Sequence, residues 1–378
     1  MNRHLKVLLI EDSPSDAMLV QVHLRRSELN CMVDHAESLG QATTLLNDAS
    51  YDVALLDLSL PDSAGIATFQ SLHSNWPQLP VVVLSGQSDN GLAVTAVREG
   101  AQDYLSKSEF SSSSLARSIR YAVERHEREL AQRRVQELEQ DAAAAASVQR
   151  RLLPQNIPQF PELDIAAACV PAAAAGGDFY DFLTLPDGRL GVLIADVSGH
   201  GLGPALIMAS ARRVIRSLTD YHPDLGDLFT AANHDILEDT GAMHFVTAFL
   251  AAIDHEQRTL EFTSAGHESW LMTRSGEIIA LDTVGLPLGI VPDFQYLSSH
   301  HRTLQPGEIL ILLTDGIAEA QRPDRSMFTT TRVKETLSQL KDHSAEEIVR
   351  ETLRTATEFC KPAAPQDDMT IVVLKVVD

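Results

Sequence analysis

The chain has 378 residues, 44% of them hydrophobic, with 52 acidic against 30 basic side chains and a formal charge of −22. One hydrophobic core stops growing at roughly 250–300 residues, so two domains are expected. So acidic a surface repels phosphates at long range, which argues against nucleic acid or an anionic membrane as a general partner. Three widely spaced cysteines, Cys31, Cys169 and Cys360, form neither a disulfide framework nor a metal knuckle. No apolar run reaches the roughly 18–20 residues of a membrane span, and the opening MNRHLKVLLIEDS turns acidic where a signal peptide would stay apolar. A cytoplasmic location is expected.

In residues 1–125, five short apolar runs recur: LKVLLI, CMVDHA, YDVALLD, PVVVLS and QDYLSK, separated by stretches of helical period. Strand alternating with helix at this spacing predicts a parallel sheet covered on both faces. Polar residues stand at the strand ends: Glu11 and Asp12, Asp57, Ser85 and Lys107. Ligands of open α/β sheets bind at that edge. Three gathered carboxylates repel one another, and a hard divalent cation relieves the repulsion.

These residues resemble a response-regulator receiver domain over roughly residues 4–125, with a flavodoxin-like fold. The resemblance implies that Asp57 is the phosphoacceptor and that Glu11, Asp12 and Asp57 hold Mg²⁺. It further implies that Ser85 and Lys107 contact the phosphoryl group, that Tyr104 is the aromatic switch, and that a sensor kinase or phosphotransfer protein is the partner. Ser108 departs from the pattern, since family members usually have proline after the lysine.

Residues 115–157 hold an Ala-, Glu-, Arg- and Gln-rich stretch without Gly or Pro up to Leu153, which predicts a long helical linker. Ala131, Val135, Leu138, Ala142, Ala145, Gln149 and Leu152 step alternately by four and three, a two-helix seam. A homodimer through this coiled coil is expected; the alternative is a helix lying on its own domain.

From residue 158 the signals become antiparallel. FYDFLTL-PDG-RLGVLIAD predicts a hairpin, and VTAFLAAID…TLEFTSAG…SWLMT-RSG-EIIAL a meander; GPALIMASARRVIRSL and SAEEIVRETLRTATEF read as helices. A β-sandwich flanked by helices follows. Four segments each place an Asp at a strand end beside Gly or another acid: Asp178 in GGDFYD, Asp196 in IADVSGHG, Asp315 in LLTDGIAEA, and Asp367 with Asp368 in QDDMTIVVL. Oxygen-only donors indicate Mg²⁺ or Mn²⁺ in preference to Zn²⁺.

The four segments resemble the PPM or SpoIIE-type, protein phosphatase 2C-like, Ser/Thr phosphatases over about residues 160–378, an α-β-β-α sandwich. The resemblance implies two Mn²⁺ or Mg²⁺ ions that activate water for direct attack on phosphoserine or phosphothreonine. Asp196 would bridge them, the Val197 carbonyl would join one, Asp178 would act there largely through water, and Asp315 and Asp367 would complete the other. Asp368 is counted with the metal set, with a supporting role as its alternative, and Asp181 is read as structural. His200 is a weak candidate acid, and His267 is expected to bond backbone. The implied substrate is a phosphorylated anti-anti-sigma (STAS-like) protein, with Asp57 phosphorylation modulating activity. The alternative is a non-catalytic adaptor built on the same two folds; the metal acids, all present, favour the enzyme.

Overall fold

A computed structural model describes residues 4–86, 90–108, 111–241, 243–281, 285–299 and 302–377. The chain divides into two compact units, Met1–Leu138 and Glu139–Asp378.

The first unit runs β1 (Leu5–Ile10), α1 (Pro14–Arg26), β2 (Cys31–Ala36), α2 (Leu39–Asp48), β3 (Val53–Asp57), the small hairpin β4 (Ser59–Leu60) and β5 (Ser63–Ala64), α3 (Ile66–Asn75), β6 (Val81–Ser85), α4 (Asn90–Arg98) and β7 (Asp103–Ser106). The helix α5 (Ser112–Leu152) then leads into the second unit. The sheet order is β2-β1-β3-β6-β7, every pairing parallel, as the alternating pattern predicts. Central strands β3 and β6 are buried along their whole length, which explains their unbroken apolar runs. Ser13 and Ser38 cap α1 and α2 by accepting the amides of Asp16 and Gln41.

The second unit continues with β8 (Leu163–Val170), β9 (Phe179–Thr184), β10 (Leu190–Val197), α6 (Leu202–Leu218), α7 (Leu225–Thr240), β11 (Val246–Asp254), β12 (Thr259–Ala265), β13 (Ser269–Met272), β14 (Ile278–Ala280), β15 (Arg302–Thr303), β16 (Ile309–Leu313), α8 (Asp315–Ala318), α9 (Thr329–Gln339), α10 (Ala345–Cys360) and β17 (Met369–Val376). Two antiparallel sheets, β15-β12-β11-β10-β9 and β14-β13-β16-β17-β8, enclose a core of Val192, Ile194, Phe249, Leu310, Leu312 and Val372. Helices α6 and α7 cover the outer face of the first sheet, and α9 and α10 that of the second. The capping box Ser344–Glu347 starts α10, whose Ile348, Thr352 and Ala356 recur at helical spacing on its buried side.

Two expectations need correction. The predicted meander does not stay in one sheet: after β12 the chain crosses, so β13 and β14 belong to the second sheet. The predicted seam does not run to the end of α5. Ala146 packs with Ala175 and Ala205, and the Gln149 amide bonds the Gly176 backbone, because small side chains let that turn lie close against its own unit. Residues 131–140 of the helix are exposed throughout.

Candidate active site

Side-chain alternation along the strands assembles the C-terminal acids. On β10, Val192 and Ile194 face the inter-sheet core while Leu193, Ala195 and Val197 face the helices, so Asp196 falls on the inter-sheet side. The same parity carries Asp178 with Tyr180, Thr314 with Leu310 and Leu312, and Asp368 with Val372 and Leu374. Four strands thus bring these side chains to one end of the sandwich.

There the acids form a graded set. Asp178 and Asp368 are buried, Asp196 is half-buried, and Asp315 and Asp367 are exposed. Asp178 and Asp196 lie within hydrogen-bonding reach of each other. Burial, then the Asp196 charge, holds the Asp178 carboxyl well above the ordinary carboxylate range. Burial, then the Asp315 charge, pushes Asp196 up to about 7. Partial enclosure of its carboxyl among the neighbouring acids also raises Asp367, with the Asp315 and Asp368 charges adding to the effect. Carboxylates so crowded hold protons unless a cation offsets their charge.

Hydrogen bonds from Thr314, which carries no signal in the sequence, and from the backbone fix this set. Thr314 donates from Oγ1 to Asp178 Oδ2 at 2.6 Å and accepts the Thr370 amide at 3.0 Å. Asp368 accepts the amides of Ala172 and Gly177 at 2.8 Å each, with the Asp178 amide at 3.5 Å, so both its oxygens serve the loop that carries Asp178. A Cβ on Gly177 would lie 2.6 Å from the Val197 carbonyl oxygen, so glycine is what lets that loop approach the carbonyl. Gln149 of α5 donates to the Gly176 carbonyl at 2.5 Å and accepts the Gly176 amide at 3.1 Å. No sequence motif announces that clamp; a single polar seam position was its one visible trace. Asp181 faces the other way and pairs with Arg216 and Arg212 of α6 at 2.6 and 3.0 Å.

His200 is exposed near Asp367. His267 is buried between Thr247 Oγ1 at 2.9 Å and the Leu313 carbonyl at 3.0 Å. The carbonyl can only accept, so Nε2 carries the hydrogen and Nδ1 accepts from Thr247. Burial lowers this imidazole to about 4 from 6.5. Between those values the unfolded chain binds a proton that the folded chain refuses. Stability is therefore complete above about pH 6.5 and falls as pH drops toward 4, by up to about 3 kcal/mol. Thermal melts from pH 7 to 4.5 should show a steeper loss for the wild type than for His267→Gln; parallel curves would exclude His267 as the cause.

In the first unit, Glu11, Asp12 and Asp57 place carboxylate oxygens within 4.8 Å of one another at the β1 and β3 ends. Lys107 reaches Asp57 at 2.5 Å, Glu11 at 2.6 Å and Asp16 at 3.1 Å; Asp16 was not anticipated. Burial raises the Glu11 carboxyl against the opposing pull of Lys107. Ser85 is buried with a hydroxyl that finds no partner among the described residues, and Tyr104 is 40% exposed.

A family model for Stage II sporulation protein E (SpoIIE) matches residues 186–377, and one for the response regulator receiver domain matches residues 7–120. Phosphoserine phosphatase RsbU of Bacillus subtilis is 29% identical over 244 residues, covering 64% of this chain and 71% of RsbU. Phosphoserine phosphatase RsbP of the same organism is 27% identical over 206 residues, covering 52% of this chain and 48% of RsbP. The solved SiaA-PP2C domain of Pseudomonas aeruginosa superposes with a TM-score of 0.56 at 23% identity, over 65% of this chain and 98% of that domain, a likeness of fold. No helix among the described residues is long and apolar enough to cross a membrane. The chain belongs to the SpoIIE family: it is a PP2C-like serine phosphatase that carries a response-regulator receiver domain.

Proposed function

We propose that the second unit hydrolyses phosphoserine or phosphothreonine on a protein with the help of two Mn²⁺ or Mg²⁺ ions, under the control of phosphorylation at Asp57. The observation that carries this reading is the crowding of carboxylates from four segments, with Asp178, Asp196 and Asp367 all held above their ordinary range. An all-oxygen donor set of that charge suits a hard divalent cation. Asp196 would be shared between the two ions, with Asp178 and the Val197 carbonyl toward one and Asp315 and Asp367 toward the other. Asp368 would order the Asp178 loop, since its oxygens already accept backbone amides. When bound, the ions supply Lewis acidity that makes water nucleophilic near neutral pH and offsets charge on the phosphoryl oxygens. The chain's own contribution is to fix the acids: Thr314 sets the Asp178 rotamer, and Gln149 holds the neighbouring backbone.

Asp57 would accept the phosphoryl group, Glu11, Asp12 and Asp57 would hold Mg²⁺, and Lys107 with the unpartnered Ser85 hydroxyl would bind the phosphoryl oxygens. Tyr104 would report the change, with a sensor kinase or phosphotransfer protein as donor. The likeness to RsbU and RsbP supports a STAS-like phosphoprotein as substrate. Exposed Val135 and Leu138 on α5 support a homodimer through the 131–140 stretch.

Turnover of a phosphoserine protein should vanish in EDTA and return with Mn²⁺ or Mg²⁺. Equal turnover in EDTA, or none with any cation, would defeat the reading and favour an adaptor. With turnover established, acetyl phosphate should change its rate in the wild type and leave Asp57→Ala unmoved; an identical response in both would remove Asp57 as the control point.

A further inference from the structure

We propose that the first unit holds a second anion site, a cleft between the end of α1 and one face of α5 that binds a nucleoside polyphosphate. The cleft encloses about 460 Å³ and is lined by Arg26, Glu28, Ser112, Arg117, Arg120 and Tyr121 among others. That volume lies within the range of small-molecule sites. Three of these side chains are guanidinium groups and one is a carboxylate, in a chain whose formal charge is −22. Among the described residues Arg26, Arg117 and Arg120 form no ion pair, as holds for most arginines of this unit; what sets these three apart is that they line one cleft. Three unpaired cations at one concavity repel one another, and an anion with about two or more negative charges relieves that repulsion.

The helix geometry points all three at one ligand. Arg117, Arg120 and Tyr121 are related by three and four residues and form one stripe of α5, while Arg26, the last residue of α1, faces them from across the cleft. Planar guanidinium forks suit phosphate oxygens in pairs. Ser27 already donates to the Leu24 carbonyl and Ser112 bonds His23, so the arginines carry the charge recognition. Tyr121, 62% exposed beside them, supplies a flat surface for stacking a base, which is why a nucleoside is favoured over bare polyphosphate. The site is separate from the phosphoacceptor: α1 begins near Lys107, which reaches Asp16, and Arg26 lies ten residues further along the helix, about 15 Å at its rise per residue. Nothing in this proposal depends on the phosphatase reaction.

Calorimetry on the full chain in EDTA, which suppresses binding through metal ions, provides the test. ATP and inorganic tripolyphosphate should both bind with a dissociation constant below about 1 mM. Arg117→Ala/Arg120→Ala should weaken both at least about 10-fold, and Tyr121→Ala should weaken ATP while leaving tripolyphosphate unchanged. Circular dichroism and acetyl-phosphate labelling of Asp57 would confirm that the variants fold. No binding of either probe, or ATP binding that the double variant leaves intact, would overturn the site. Tyr121→Ala affecting neither probe would overturn the nucleoside part. Binding of a phosphoserine peptide with no affinity for ATP or tripolyphosphate would overturn the small-ligand assignment.

Discussion

Asp196→Asn should cut turnover of a phosphoserine protein by roughly 10²–10³-fold while raising the melting temperature of the metal-free chain. The two effects share one cause. Asp196 is the member of the set that meets both the buried Asp178 and the charges of Asp315 and Asp367. Its carboxylate is therefore well placed to be shared by a pair of cations and is repelled by its neighbours without them. Removing the charge lifts that repulsion in EDTA, so the folded state gains; it also removes the group best placed to be shared, so catalysis fails. Asp181→Asn is the contrasting control. Its carboxylate sits 2% exposed between Arg212 and Arg216, so that change should lower stability instead. Parallel turnover and calorimetric melts would check both, and an Asp196→Asn enzyme that keeps wild-type turnover with Mn²⁺ would remove Asp196 from the centre of the site.

The parts of the molecule legible in the sequence are those written in short-range pattern. Apolar runs such as VALLD and VVVLS stand alone as buried strands, and their polar ends, Asp57 and Ser85, fall at the ligand edge because a parallel sheet permits nothing else. Asp178, Asp196 and Asp368 were visible for a similar reason: each stands at the end of a strand, or directly before one, with a fixed parity. What escaped is non-local. The passage of β13 into the second sheet depends on pairing with β16, some forty residues later, and its own four residues look like a continuation of the meander. Thr314, between an apolar strand and Asp315, carries no signal of its own in the sequence; only the fold shows that its hydroxyl serves Asp178, 136 residues away. Gln149 read as a seam position because heptad spacing records which face of a helix is covered and not by what.

The largest combined effect on stability and activity is expected from Gly176→Ala. A Cβ at this position would lie 1.9 Å from Asp368 Oδ2 and 2.4 Å from Asp368 Cγ. A mobile carboxylate could swing aside, but this one is buried and accepts the amides of Ala172 and Gly177. Either the Asp368 side chain leaves, stranding those amides, or the loop moves and takes Asp178 out of register with Thr314 and Asp196. A clash of this kind with buried, hydrogen-bonded atoms typically costs about 1–3 kcal/mol, and ångström-scale misplacement of a catalytic group about 10²-fold in rate. Gln149→Ala separates the two consequences, because it removes the donor and acceptor that grip Gly176 without adding bulk. It should lower kcat about 10-fold, with KM for the phosphoprotein little changed and stability reduced by only about 1 kcal/mol. Gln149→Glu should do worse than alanine: its carboxylate can still accept the Gly176 amide but meets the Gly176 carbonyl as a second acceptor, close to an already crowded set of acids. If Gly176→Ala retained wild-type kcat and melting temperature, the Asp368 carboxylate could not be holding the loop as its geometry requires.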